Sequence, residues 1–463
     1  MAAAAAADPR EFSKVVDADH DLNFQMSGGA SAVKDVDSAP GTAFGWDYAK
    51  GVHTSSGPVF PLTCAAQQYA WGKVGSSSKV AQMKAADAGF SVDEAQTYAE
   101  YWMGTHPNAP SRTPDGTTLA AFLAANPGAL GDKLGAGAAA STGELPYLFK
   151  VLSIGKALSI QAHPDKKLAE KCHAERPDVY KDPNHKPEMA LALTPMEALC
   201  QFRAIPEIVA HLGEFPEFRA MVGEPAAASL EAPGAGKAEL KAAFSAFMAA
   251  TPELLEAQLG AMLARLRALA APAAPLQALL LRLQDQFPGD IGIFCPLLLN
   301  YVTLEPGQAL FLGANEPHAY LSGDIAECMA CSDNVVRSGL TPKFKDVDLL
   351  CEMLTYKTGA PKIYTGETVD HCTSLYTPPA SVPEFEMMRV SVPADYSYLM
   401  PTCATPQILL VVGGSGGLSK DADRATALKV GTTMFASANA VITLRGGAEG
   451  LEVFTARANE SIE

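Results

Sequence analysis

Along Leu158-Ser159-Ile160-Gln161-Ala162-His163 apolar and polar residues alternate, which puts Leu158, Ile160 and Ala162 on one face of a strand and Ser159, Gln161 and His163 on the other. The polar face must look into a cavity. Further extended segments are read at 61–72, ending in a turn, and at 97–103, 146–152 and 188–193, the last closed by Thr194-Pro195. Ser76-Ser77-Ser78-Lys79 opens a helix running from 80 to 88, and Pro164 and Asp165 start a short one over 166–175.

From 206 to 287 the period changes: segments 239–244 and 254–263 carry apolar residues at helical spacing, so this stretch reads as an all-helical insertion. Its Ala-, Pro- and Gly-rich section 223–236 reads as a surface loop. Strand character resumes at Ile291, and 304–312, turning at Pro306-Gly307, leads as a hairpin toward His318. Beyond Thr355, short runs at 385–392, 407–412, 440–444 and 451–455 separated by Gly or Pro indicate a second antiparallel sandwich. Gly413-Gly414-Ser415-Gly416-Gly417 lacks the Lys-Ser/Thr pair and following helix of a phosphate loop and reads as a hairpin turn. The expected architecture is mainly β with a helical insertion: a loosely ordered extension over 1–57, a metal-binding body from 58–205 and 288–350, a helical domain over 206–287, and a β-sandwich over 351–463.

At 463 residues the chain can build two or three domains with sizeable cores. Its net charge of −16, with no run of Lys and Arg, argues against nucleic-acid and anionic-membrane partners, so an anionic ligand would need a local basic pocket. No apolar span approaches the roughly 20 residues of a membrane helix; the longest, 291–302, is broken by Pro296 and Asn300. The nine scattered cysteines read as reduced thiols of a cytoplasmic protein, and Cys328-Met329-Ala330-Cys331 as core thiols beside a loop, there being no second such pair. Asp8, Glu11 and Asp17 make the Ala-rich start unlike an organellar transit peptide.

Candidate chemistry gathers on four residues. Gln161 and His163 share a strand face; Glu188 lies in Asn184-His185-Lys186-Pro187-Glu188 and His318 in Glu316-Pro317-His318-Ala319-Tyr320. Two imidazoles, one carboxylate and one amide suit Zn²⁺ with a position left open. Glu188 being the one anion, the site would keep a net charge of about +1 and could stabilise charge on a bound oxygen. Taken singly, each residue is as readily a satisfied polar side chain of a strand.

QQYAWGKVGSSSK (67–79), WMGTHP (102–107), PYLFKVLSIGKALSIQAHPDKK (146–167) and FLGANEPHAYLSGDIAECMACSDNVVRSGLTPKFK (311–345) closely resemble type I phosphomannose isomerases. The resemblance covers about 59–463, weakly in the helical insertion and the last sandwich. It implies two cupin-like jelly rolls plus a helical domain, one zinc on Gln161, His163, Glu188 and His318, and interconversion of mannose 6-phosphate and fructose 6-phosphate through a cis-enediolate, supplying mannose for GDP-mannose synthesis. Motif by motif it places Arg337, Glu327 and Lys343 in the catalytic set, and Lys150, Ser159 and Lys186 around the sugar phosphate.

Aldose–ketose isomerisation needs a base, a stabilised enediolate and a grip on phosphate. Glu327 is the first choice for the base, because a carboxylate in a partly dehydrated cleft rises toward neutrality; a structural ion pair is its plain alternative. Arg337 would spread charge over enediolate or phosphate oxygens, a surface salt bridge being the other reading. Lys150, Ser159 and Lys186 would grip phosphate, Tyr320 would line the pocket, and Asp333 would orient Lys343 or Arg337. Trp71, Trp102 and His106 read as core or cavity wall. A monomer is expected. Two other classes stay open: an iron-dependent oxygenase, which would have no use for Gln161 or a phosphate cradle, and a non-catalytic sugar-binding or storage bicupin.

Overall fold

The computed structural model describes residues 57–269, 274–420, 425–459 and 461–462, so the expectation for the N-terminal extension falls, save for Gly57, outside the described residues. The larger β body is organised by one long strand, His318–Ala330. Its first half pairs with Ile160–Ala162 and Met196–Phe202, its second with Tyr147–Ile154 and Glu188–Ala192, all antiparallel. One strand thus belongs to two sheets.

The bend between them falls at Gly323, which has a φ of +109°; a Cβ there would lie 2.8 Å from the Met196 Cα and the Pro195 oxygen. Only glycine accepts that conformation and that approach. The register also shifts between Tyr320 and Ser322, a bulge that turns the strand. One sheet then extends through Glu100–Gly104 to Ala65–Gln67 on one side and through Ala309–Leu312 to Ile363–Tyr364 on the other. The second adds Leu299–Leu304 and Val336–Gly339. The two close over an apolar interior of Leu152, Ala190, Ala192, Leu310, Leu312 and Ile325, a cupin-like jelly roll.

The helical insertion runs from Ile205–Glu214 to Pro275–Gln286. It shares one core with the outer face of the second sheet, where Ile160, Ala162, Leu199 and Val336 pack with Phe218, Leu240, Phe244 and Phe247. Each buried phenylalanine of this kind contributes about 1.5–3 kcal/mol. The helices are therefore the backing of the wall that presents Gln161 and His163 on its other side.

Among the described residues the C-terminal sandwich has nine strands. It packs on the outer face of the first sheet, where the Tyr147 hydroxyl donates to the Ala456 carbonyl at 3.0 Å and the Tyr101 and Thr433 hydroxyls stand 3.4 Å apart. Val59–Pro61, at the sequence start of the larger β body, pairs with Thr433–Ala436 in this sheet and joins the beginning of the fold to its end.

Several local expectations are corrected. Section 223–236 is not all loop: Glu224–Glu231 is a helix that buries Ala227 and Leu230, because alanines favour helix and Pro225 falls in its first turn, where no N–H is missed. Ile291–Leu297 is a 3₁₀ helix capped by Asp290, since Pro296 cannot join a ladder, and the strand begins at Leu299. Residues 413–417 make no turn but lie inside Gln407–Ser419, which pairs along Thr443–Arg457 with two register shifts. Glycine is required there, as a Cβ on Gly416 would lie 2.1 Å from the Arg445 oxygen. Leu158 precedes its strand and joins the barrel interior rather than the helical core holding Ile160 and Ala162.

Candidate metal centre and active site

Sheet register sets the first row of polar residues. Gln161 stands opposite His318 on one side and Arg337 on the other. Directly opposed residues share a face of the sheet, so Arg337, Gln161 and His318 form a row facing the cavity. His163 follows two residues after Gln161. Asn315, in a left-handed conformation at φ +62°, donates its N–H to the His163 carbonyl at 2.7 Å and so fixes the His163 strand end beside the start of the His318 strand.

Both imidazoles are buried and oriented from behind. His163 donates Nδ1–H to the Asn334 carbonyl at 2.6 Å, and His318 donates its own to the Glu316 carbonyl at 3.1 Å. Each ring thereby turns a bare Nε2 into the cavity, and neither Nε2 has a hydrogen-bond partner. Burial pushes His163 down to about 4, with Glu188 opposing, so the ring is neutral and its Nε2 is an acceptor without a donor.

Between the rings lies Glu188, whose Oε1 is 3.4 Å from the His163 Nε2 and whose Oε2 is 3.4 Å from the His318 Nε2. Ligands held tetrahedrally at about 2.0–2.1 Å from one zinc stand about 3.4 Å apart. Ligand atoms of all three residues lie within 4.8 Å of one another. Unpartnered buried nitrogens facing a carboxylate are costly in a dry interior, and a divalent cation satisfies both at once. The donor set fits the ion that its chemistry suggests.

Lysines and further carboxylates surround this centre. Lys186 Nζ is 3.2 Å from Glu188 Oε1. Burial opposes the Glu188 charge, but Lys186 and the imidazoles outweigh it and hold the carboxyl well below the ordinary range. Lys150 lies opposite Glu327 in the ladder, and its Nζ is 3.6 Å from Glu327 Oε2, 3.4 Å from Glu100 Oε2 and 4.8 Å from the centroid of the Trp102 ring. Burial disfavours its charge, yet Glu100, Glu327 and Glu188 together raise its pKa. The Tyr320 hydroxyl donates to Glu327 Oε1 at 2.9 Å and lies 3.4 Å from Glu188 Oε2. Burial first, and then Glu188, push the Glu327 carboxyl up to about 7. Three carboxylates against two lysines leave an excess of buried negative charge, which this rise relieves in part.

Residues 59–205 match the type I phosphomannose isomerase catalytic domain and 222–299 its helical insertion domain. Mannose-6-phosphate isomerase of Bos taurus is 45% identical over 409 residues, covering 84% of this chain and 95% of that protein; the Homo sapiens enzyme is 44% identical over 407, with the same coverage. The chain belongs to the type I phosphomannose isomerase family. A mutant phosphomannose isomerase from Salmonella typhimurium superposes with a TM-score of 0.74 at 32% identity, covering 88% of this chain and all of that one. A zinc-bound mannose 6-phosphate isomerase does so with 0.73 at 31%, covering 87% and 99%.

Within this phosphomannose isomerase fold the other sequence-predicted residues separate. Ser159 donates to the Gln161 oxygen at 3.3 Å, and so touches the metal side of the cavity. Lys150 and Lys186 meet different carboxylates, Glu327 and Glu188. Asp333 faces His106 at 3.8 Å, and its side chain is 40% exposed. Lys343 lies partly exposed in a bend after Val336–Gly339.

Two residues escaped sequence reasoning. Glu100 accepts from Trp102 Nε1 at 2.5 Å and is the second acid on Lys150; a carboxylate at alternate spacing with Trp102 in an otherwise apolar strand was the available signal. Asn334 orients His163 through a backbone carbonyl, which no side-chain pattern could reveal. The CxxC thiols are unreactive: burial pushes Cys328 well up and Cys331 to about 12, and all nine cysteines are free. Among the described residues no helix is long and apolar enough to cross a membrane.

Proposed function

We propose that this chain is a zinc-dependent isomerase, with one ion per chain, interconverting D-mannose 6-phosphate and D-fructose 6-phosphate. The observation that carries the reading is the pair of bare Nε2 atoms facing Glu188 beside the buried Lys150–Glu327 pair. Family membership and the zinc-bound relative support it. Gln161, opposite His318, is the fourth ligand beside His163, Glu188 and His318. Zinc, when bound, supplies positive charge that orients the open-chain sugar and stabilises negative charge on its oxygens.

The side chains do the rest. Glu327 carries the proton between the two carbons of the enediolate; a carboxyl near neutrality is suited to take and return it at physiological pH. Tyr320 holds one Glu327 oxygen and leaves the other toward Lys150, which fixes the direction of the transfer. Lys150 offers its N–H groups to a substrate oxygen beside that carboxylate. Lys186 and Ser159 grip the phosphate on the metal side. Arg337 and Lys343 spread positive charge over enediolate or phosphate oxygens, and Asp333 completes the wall with His106.

Nine free thiols support a reducing, cytoplasmic setting; the chain is read as a monomer, supplying mannose for GDP-mannose synthesis. The test is a coupled assay for fructose 6-phosphate formed from mannose 6-phosphate, run with and without chelator. Turnover abolished by chelation and restored by zinc is expected; a zinc-replete preparation without turnover overturns the reading.

A further inference from the structure

The strand that carries Arg337 is held from outside the site by the carboxylate of Asp290, which caps the 3₁₀ helix following the helical insertion. Asp290 Oδ1 accepts from the N–H groups of Gly292 at 2.7 Å and Leu340 at 2.6 Å, and its Oδ2 accepts from Thr341 N–H at 3.2 Å. Leu340 has a φ of +55°, a conformation that a branched side chain holds only when its surroundings impose it. Gly292 and Gly339 meet backbone to backbone: a Cβ on Gly339 would lie 2.6 Å from the Gly292 Cα, and one on Gly292 2.6 Å from the Leu340 nitrogen.

This buckle closes next to a register shift. Val336–Gly339 pairs with Ile160–Ala162 in register at Val336 and Arg337, then slips between Arg337 and Gly339. Bulges re-aim the side chains beside them, and here the slip falls between the proposed catalytic arginine and the residue that touches Gly292. Ser338, inside the slip, is buried and donates to the Met248 sulfur at 3.6 Å.

We infer that Asp290 is a positioning residue for Arg337, setting the arm whose register decides where the guanidinium points. The inference rests on the proposed role of Arg337 at the active site. A displacement of about 1 Å at a reacting centre can cost about a hundredfold in rate.

The test compares kcat and KM for mannose 6-phosphate in zinc-replete wild type, Asp290→Ala, Arg337→Ala and the double variant. Asp290→Ala should lower kcat by about 10- to 100-fold, and Asp290→Asn, which keeps an oxygen for the Gly292 and Leu340 amides, should recover most of that loss. In the Arg337→Ala background the same substitution should lower kcat by less than about twofold, because residues acting through one another are not additive. If Asp290→Ala does not fold, Gly339→Ala, which pushes the same strand off Gly292, carries the same comparison. Equal losses in both backgrounds, or an unchanged kcat in the single variant, overturn the inference while leaving Arg337 in place. Wild-type turnover in Arg337→Ala overturns both.

Discussion

His163 and His318 meet with ring centroids 5.1 Å apart and planes inclined at 47°, each Nε2 turned to the same carboxylate. With His163 held neutral by burial, its approach to Glu188 is no salt bridge. It is part of the proposed ligand set, in which the backbone carbonyls of Asn334 and Glu316 have already chosen the tautomers of the two rings.

His163→Ala and His318→Ala should therefore each lose bound zinc and at least about a hundredfold in turnover, at the upper end of what an orienting partner costs. Metal analysis of the purified variants, with turnover measured over a zinc titration, checks this. A His163→Ala enzyme with full zinc content would remove the ring from the ligand set.

With Glu327 as the proposed base, the pH profile follows from its carboxyl. Without metal its carboxyl is raised to about 7, by burial and then by Glu188, while Lys150 pulls it down. Zinc offsets the Glu188 charge, so in the holoenzyme the midpoint should fall below 7 but stay above the ordinary 4.5. A base must be ionised to act, so kcat/KM rises with pH through that midpoint. Lys150→Met removes the lowering influence and should move this acid limb to higher pH. Glu327→Gln should abolish the limb and slow kcat about 10²- to 10⁴-fold with zinc retained. A limb that moves to lower pH in Lys150→Met contradicts the assignment.

What was legible in the sequence and what was not divides by range. Gln161 and His163 are legible together, on the polar face of one alternating strand, and Glu188 and His318 as further metal-binding side chains in separate segments. Their neighbours do not. Glu100 and Trp102 face Lys150 because Trp102 pairs with Lys150 across the ladder, a register that no local pattern contains. The bend at Gly323 is equally invisible, since a glycine inside a strand marks several different things until the backbone it touches is known. At 224–231 the Ala-, Pro- and Gly-rich composition hides the helix propensity of the alanines, and at 291–297 apolar character alone does not separate a buried 3₁₀ helix from a strand.

Gly323 has its own consequence. Its φ of +109° is closed to other residues, and an added Cβ would press on backbone at 2.8 Å, where no side chain can yield. Gly323→Ala should destabilise the protein by at least about 2 kcal/mol, strain and overpacking combined. A denaturant midpoint equal to that of wild type would mean that the long strand does not need the bend.

The last prediction separates stability from chemistry. Glu386 and Arg457 are cross-strand partners in the C-terminal sandwich, their Oε1 and Nε 2.7 Å apart and both side chains buried. Burial works against the Arg457 charge, but Cys403 and Glu386 raise its pKa, so it stays ionised whether or not its partner is present. Removing one member leaves that charge uncompensated, and Glu386→Ala should cost about 3–5 kcal/mol. Replacing both, as Glu386→Met with Arg457→Leu, should return most of the loss, because the desolvation penalty disappears with the pair. Neither change touches the metal centre, so kcat well below the unfolding transition should be unaltered in both. Chemical denaturation of the single and double variants measures the first effect, and turnover at low temperature the second. A Glu386→Ala protein as stable as wild type would show that the guanidinium finds other compensation in the sandwich.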